Sequence, residues 1–348
     1  MGGLFKILPI FNLQFNTKNK TMHTTPFQRM RNRTKSISGL RFSSFLVLLA
    51  VGTLFMPSCS KDRAQTATTT VALGYTAPTA FYNKYKQPVQ VLQVDSPGTG
   101  PIIDSMGTKL YPNANIFMFP NGNSVIYPFT LQMIDIYTVK QMILSTLPTV
   151  AGGKILEAKP EISARAFKGA QELVLRPGKK FHMETATMTS LLTGMSVYYG
   201  FSGSGFTDWT KTVGVLNPAI SPDTLSSITN LASTYSMNIA LMGWVNCGRL
   251  FSYTAATTPI TFNCTGNTPQ NINVFLVFNN SNSVMQAYSL VSGPVPVGTQ
   301  LTMIAIAYDA NNNLVYDKQS LTVTAGMSVT LNPIVTTEAN LLSVLGTL

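Results

Sequence analysis

The side chains that could carry acid–base chemistry are few. Of the two histidines, His23 lies in the first 58 residues and only His182 follows them. General acid–base and triad chemistry most often uses histidine, so such a site would be built on His182. His182 alternates with Phe181 and Met183 in "KKFHMET", and the plainer reading is one neutral histidine on a strand. A hydrolase built on it requires a concave pocket with an acid within hydrogen-bond reach. Glu157 and Glu161 offer a carboxylate pair of the glycosidase type, but they flank Lys159-Pro160, where solvated charge is the alternative. "GFSGSG" (200–205) lacks the spacing of a nucleophile elbow. No P-loop, HExxH or EF-hand spacing occurs. No catalytic residue, metal or cofactor is therefore assigned. Trp209 and Trp244, with Tyr198, Tyr199 and Tyr253, supply aromatic surface. Trp209 and Tyr199 are the foremost candidates for stacking on a sugar or peptide; the alternative is that these rings are core.

A different chemistry sits at "FLVLLAVGTLFMPSCSKD" (45–62). The apolar run from Phe45 to Met56 has 12 residues, short of the roughly 20 that span a bilayer and within the about 7 to 15 of a signal-peptide core. Arg31, Arg33, Lys35 and Arg41 precede it, and no acid occurs from 1 to 58. Met56-Pro57-Ser58-Cys59 looks like a bacterial lipobox, with Pro57 the departure. Cys59 is then the acylated first residue of the mature chain and its link to the membrane, and an ordinary signal peptide cut nearby is the alternative. Met30 opens a segment of normal signal proportions, so translation is expected to start there or at Met22.

Charge bounds the partners. The chain carries a formal +11, but eight of its 24 Lys and Arg precede residue 59, and all 13 acids follow it. The 290-residue mature chain holds 16 bases against 13 acids, a net +3, which gives no support for nucleic-acid binding. Cys247 and Cys264 are the remaining cysteines, 17 positions apart in strand-like segments. An oxidising compartment permits a bridge between them; two buried free thiols are the alternative. No CxxC pair or Cys/His cluster supports a structural zinc site.

The elements that would position these groups read as β throughout. Residues 59–100 are rich in Ala, Thr, Pro, Gln and Gly and read as a tether, within which "PVQVLQV" (88–94) could pair as an early strand. "IFMF" (116–119), "PNGNS" and "VIYPFTLQMIDIY" (125–137) predict a hairpin turning at Asn121-Gly122. Val125, Tyr127, Phe129, Leu131 and Met133 share one face. Further short strands fall at 161–167, 171–178, 179–185 and 195–201 and predict a first β-sandwich over 101–201. Residues 202–234 read as a connector in which Ser221-Pro222-Asp223 could cap a helix. Strand patterns from 235 onward predict a second, immunoglobulin-like sandwich over 235–348. There Ile272, Val274, Leu276 and Phe278 share a face, and Ile304, Ile306 and Tyr308 oppose Ala305 and Ala307. The fold class is all-β, two antiparallel sandwiches in tandem.

Residues 107–179, from "GTKLYPNANIFMFPNG" through "YPFTLQMIDIYTVKQMIL" to "EISARAFKGAQELVLRPGK", resemble the β-sandwich domain of zona-occludens scaffolds, netrin receptors and ankyrins. The form most similar is that of Bacteroidota-type envelope lipoproteins. "GMSVYYG" (194–200) with Asp208-Trp209, and "GWVNCGRLF" (243–251), match later landmarks of those proteins. Gln141 and Gly248 stand where that family carries an acid. The resemblance spans roughly 100–335, carries no catalytic residues, and implies fold and location. It also implies short O-glycosylation triplets at Asp104-Ser105-Met106 and Asp223-Thr224-Leu225, on Ser105 and Thr224. Acids after the acylated cysteine mark surface export in such proteins, and Ser60-Lys61-Asp62-Arg63 offers one acid between two bases. The expected function is a lipid-anchored outer-membrane protein with a structural, adhesion or protein-interaction role and no catalysis. Its partner would be an envelope protein or glycan, on either side of the outer membrane. The alternative is a carbohydrate- or peptide-binding surface lipoprotein.

Overall fold

The computed structural model describes residues 74–98, 100–186, 190–203, 206–211, 227–264, 271–279 and 281–348. Cys59, the 221–223 segment and Thr224 lie outside them. The described chain begins with helix α1 (Thr79–Tyr85), then β1 (Gln90–Val94), β2 (Ile102–Ile103), β3 (Lys109–Tyr111), β4 (Phe117–Met118) and β5 (Phe129–Ile136). Helix α2 (Val139–Leu144) leads to β6 (Val150–Ala151), β7 (Lys154–Lys168), β8 (Gln171–Leu175), β9 (Phe181–Glu184), β10 (Ser196–Gly203) and β11 (Phe206–Thr210). Then come β12 (Ser227–Leu231), β13 (Thr234–Ile239), β14 (Gly243–Leu250), β15 (Thr257–Thr258), β16 (Thr261–Asn263), β17 (Asn273–Phe278) and β18 (Val284–Ala287). The chain closes with β19 (Val295–Pro296), β20 (Gln300–Tyr308), β21 (Leu314–Thr322), β22 (Ser328–Thr330), β23 (Ile334–Val335) and helix α3 (Glu338–Leu345).

The first sandwich has one sheet ordered β1-β5-β7-β14-β10-β11 and a second ordered β12-β13-β9-β3-β2. Period-two alternation gives each an apolar inner face. Leu131, Met133, Ile162, Ala164 and Val245 from the first meet Leu110, Phe181, Met183, Tyr235 and Met237 from the second. The predicted turn forms: Gly122 adopts φ 89° and donates its amide to Phe119 O at 2.8 Å. Its arms do not pair as a long hairpin, however. A single bridge, Met118 to Ser124, joins them, while β5 pairs with β1 and β7.

Two expected boundaries move. The tether expected over 59–100 is already folded at Thr76, which bridges Tyr308, and at α1, where Phe81 is fully buried. The connector and second sandwich were expected to meet at 235. Instead β12 and β13 pair within the second sheet, and β14 sits between β7 and β10 in the first. The first sandwich therefore runs to Leu250. Long strands find their partners by face and length, and β14 matches β7 over Gly243–Leu250.

The second unit is a five-stranded sheet ordered β18-β17-β20-β21-β23, packed on the short ladders β15–β19 and β16–β22, the latter parallel. Val274, Leu276, Phe278, Ala305 and Ala307 face that interior. Phe275, Val277, Ile304 and Ile306 face the other way, onto α1, α2 and α3 through Phe81, Met142, Leu341 and Leu345. Coverage on both faces explains why "VFLVF" (274–278) is apolar without a break. Helix α2 is fixed by a capping box. Thr138 Oγ1 accepts the Gln141 amide at 3.3 Å, and Gln141 Oε1 accepts the Thr138 amide at 3.1 Å. Gln141 thus does at the helix start what a carboxylate would do there. Among the described residues no helix is long and apolar enough to cross a membrane.

Candidate binding groove and the buried carboxyls

The outer face of the first sheet carries a groove of about 360 Å³. Cross-strand register builds it. Ile134 lies opposite Ser163, and Ser163 opposite Trp244. The small Ser163, with Gly200 and Gly243, leaves a depression between the bulk of Ile134 and that of Trp244. Gln132 and Arg165, paired across β5 and β7, supply the polar flank. Arg165 is held in place by both its Nε and Nη2, which donate to the Glu172 carboxylate, and its guanidinium lies 5.1 Å from the Phe167 ring centre.

Gly200 is required by what lies against it. A Cβ there would stand 2.9 Å from Trp209 Cζ3 and 3.0 Å from Trp244 Cβ. Trp209 is therefore not a stacking platform. It is 1 % exposed, and its Nε1 donates to Pro148 O at 2.8 Å. Tyr199 is equally buried, on the inner face, with its hydroxyl accepting the Ala240 amide at 2.9 Å. Both expected stacking residues are core, because each ring falls on a face that another layer covers. Trp244, half-buried, is the aromatic residue that reaches the groove.

The groove's neighbouring row is sealed. Tyr198, Asn246 and Glu161 align across β10, β14 and β7. Asn246 Nδ2 donates to Glu161 Oε1 at 3.1 Å, while Glu161 Oε2, Asn246 Oδ1 and the Tyr198 hydroxyl are buried without a partner. Burial holds the Glu161 carboxyl well above the ordinary range, against a smaller opposing pull from Asn246. Glu157, by contrast, accepts Arg249 Nε at 2.7 Å. The two glutamates do not act as a pair: one is sealed in the sheet face and the other is ion-paired. Gly248, where the resemblance places an acid, has no room for one, since a Cβ would meet Asn246 Oδ1 at 2.8 Å.

A second cavity of about 890 Å³ lies between the two sandwiches, lined by polar groups including Glu157, Lys159, Asn279, Asn282 and Gln300. Asn282 Nδ2 reaches the carbonyls of Tyr137, Ala158 and Lys159 at 3.2–3.3 Å and so ties the second unit to the first.

His182 lines neither cavity. It lies on the outer face of β9, its ring 4.6 Å from that of Tyr111, and its Nε2 is 3.9 Å from Glu184 Oε1, beyond hydrogen-bond reach. Tyr111 and Lys109 already bond that carboxylate. Of the two readings of Cys247 and Cys264, the structure has the free thiols, Cys247 buried and Cys264 half-buried. Cys247 is in the interior of the first sandwich and Cys264 packs against that of the second, so strand pairing carries them into different cores. Ser105 is exposed in the turn between β2 and β3. Among the described residues no three His, Cys, Asp or Glu gather as metal ligands.

Gln132, Ser163 and Arg165 were not legible as a site in the sequence, being ordinary outward-facing strand residues. Asp135 did leave a signal: it is an acid at the inward parity of Phe129, Leu131 and Met133.

No family model and no curated protein matches the chain. One solved structure, a gamma-CGTase from an alkalophilic Bacillus clarkii, aligns at 12 % identity with a TM-score of 0.15, over 71 % of this chain and 41 % of that enzyme. At that score the likeness carries no argument about fold or function.

Proposed function

We propose that the chain is a lipid-anchored envelope protein, held at Cys59, whose two joined sandwiches act as a non-catalytic interaction module. The basic flank, short apolar run and Met56-Pro57-Ser58-Cys59 support the anchor. One observation carries the interaction role: the Trp244 groove. It sets an aromatic wall beside Arg165, Gln132 and Ser163 on strands whose positions are locked by pairing on both sides. An aromatic wall with a pre-held guanidinium and amide takes a ligand that offers an apolar face and hydrogen-bonding groups together. A sugar ring or a short peptide has that character.

The test has two arms. Protease shaving of intact cells should release peptides from 100–335 when Cys59 is present and retain none at the surface with Cys59→Ala. Retention of the full chain on immobilised envelope glycans and peptides should be lost in Trp244→Ala and weakened in Arg165→Ala, with both variants still folded by circular dichroism at the assay temperature. Undiminished retention by both variants would remove the groove from the function.

A further inference from the structure

Two buried aspartates, Asp104 and Asp135, lie at one end of the first sandwich, on the inner side of the first sheet and not on its groove face. Asp135 stands on β5 of the first sheet, and Asp104 opens the turn between β2 and β3 of the second. They are 2 % and 6 % exposed respectively. Asp104 Oδ1 accepts the amides of Met106 at 2.9 Å and Thr108 at 2.8 Å. Asp135 Oδ1 accepts Thr108 Oγ1 at 3.2 Å. The Tyr137 hydroxyl lies 3.0 Å from Thr108 Oγ1 and accepts the Ala186 amide at 3.0 Å.

The donor directions follow. Thr108 has one hydroxyl hydrogen and gives it to Asp135, so Tyr137 gives its own to Thr108. The chain runs from the Ala186 amide through Tyr137 and Thr108 to Asp135 Oδ1. The Oδ2 atoms of both aspartates remain, each buried with no donor. The two carboxyls thus meet on one residue, Asp104 at the amide of Thr108 and Asp135 at its hydroxyl. A hydrogen held between the two carboxyls would satisfy these buried oxygens, and like charges in a sealed site cannot both ionise cheaply.

We propose that Asp104 and Asp135 share one proton, and that this proton is a clasp joining the two sheets at this end of the sandwich, freeing the β2–β3 turn when the pair ionises. The surroundings fit. Tyr137, the third titratable group, is kept neutral by burial. From the second sheet, Ala186 contributes only its backbone, while Lys109, His182 and Glu184 engage one another on the outer face. No cation from these elements compensates a second negative charge. Burial first, and Asp104 second, hold the Asp135 carboxyl above its ordinary range. Because the folded value is raised, the stability is fully present below the unfolded value and is lost as pH rises toward the folded one.

The experiment follows the full chain in detergent from about pH 5 to about pH 9 by denaturant unfolding and by hydrogen exchange corrected for intrinsic rates. Relative to Asp135→Asn, wild type should lose up to about tenfold in folding constant per pH unit. In wild type the amides of Met106 and Thr108 should lose protection before those of β7. In Asp135→Asn the new amide donates to Asp104 while its oxygen still accepts Thr108, so the clasp persists without titrating. Asp104→Asn should behave alike, because its oxygen keeps both backbone amides and its amide donates to Asp135. The contribution of Glu161 is common to all three proteins and cancels. A shared pH profile across wild type and variants, or unchanged Met106 and Thr108 protection in wild type across the range, overturns the proposal.

Discussion

Glu161 shows how one buried side chain sets a pH dependence. Its carboxyl is fully buried and bonded on one oxygen only, to Asn246. Burial raises its folded value above 4.5, so it binds a proton more tightly folded than unfolded. Its contribution is complete below that value and falls as pH rises, at about 1.4 kcal/mol per pH unit until the folded value is reached. Glu161→Gln keeps the acceptor for Asn246 and removes the titration. Urea unfolding should find it within about 1 kcal/mol of wild type near pH 4 and the more stable protein at pH 8. Parallel stability curves for the two proteins would show that Glu161 does not titrate in this range. The same residue-scale logic separates the two tryptophans. Trp209 has its indole nitrogen satisfied and no exposed surface to offer, whereas Trp244 keeps part of its ring at the groove.

At the scale of elements, helices α1, α2 and α3 do the joining. Helix α3 is set by its N-cap, Thr337 Oγ1 accepting the Asn340 amide at 3.2 Å. It presents Leu341 and Leu345 to the sheet face formed by Phe275, Ile304 and Ile306. Glu338 in its first turn meets Lys84 and Tyr85 of α1, and Lys140 of α2 donates to Leu342 O at 2.9 Å. The three helices therefore fix one another as well as the sheet. Leu345 is fully buried, and truncation leaves a cavity, so Leu345→Ala should lower unfolding stability by about 2–5 kcal/mol in denaturant titrations. A loss well below 1 kcal/mol would mean that the last turn of α3 is not part of the folded core.

Over the whole molecule, the two sandwiches share this helical core rather than hang on a linker. Ile136 and Ala158 of the first unit belong to the same buried cluster as Phe275 and Ile304 of the second, and Ile155 enters the interior of the second. Unfolding one sandwich strips apolar cover from the other. Scanning calorimetry of the full chain should therefore give a single transition with matching calorimetric and van't Hoff enthalpies. Two resolved transitions would mean that the sandwiches fold independently.

What the sequence determined by itself is local. Alternation at period two identified most strands and their faces, as in Ile304, Ile306 and Tyr308 against Ala305 and Ala307. Turn chemistry placed Gly122, in the turn at Asn121-Gly122. Residues 45–62 carry the signal-peptide expectation through charge and length, and the lipidation expectation through Met56-Pro57-Ser58-Cys59. Tertiary structure decided the rest, because pairing and coverage depend on residues far apart in the chain. It carried β14 back beside β7, put Cys247 and Cys264 in different cores, and buried Trp209 under the Pro148 segment. It also brought Asp104 and Asp135 together on Thr108, and Asn246 against Glu161. Periodicity says that a strand has an apolar face; only the packed molecule says which outward face another layer covers and which stays open as a groove.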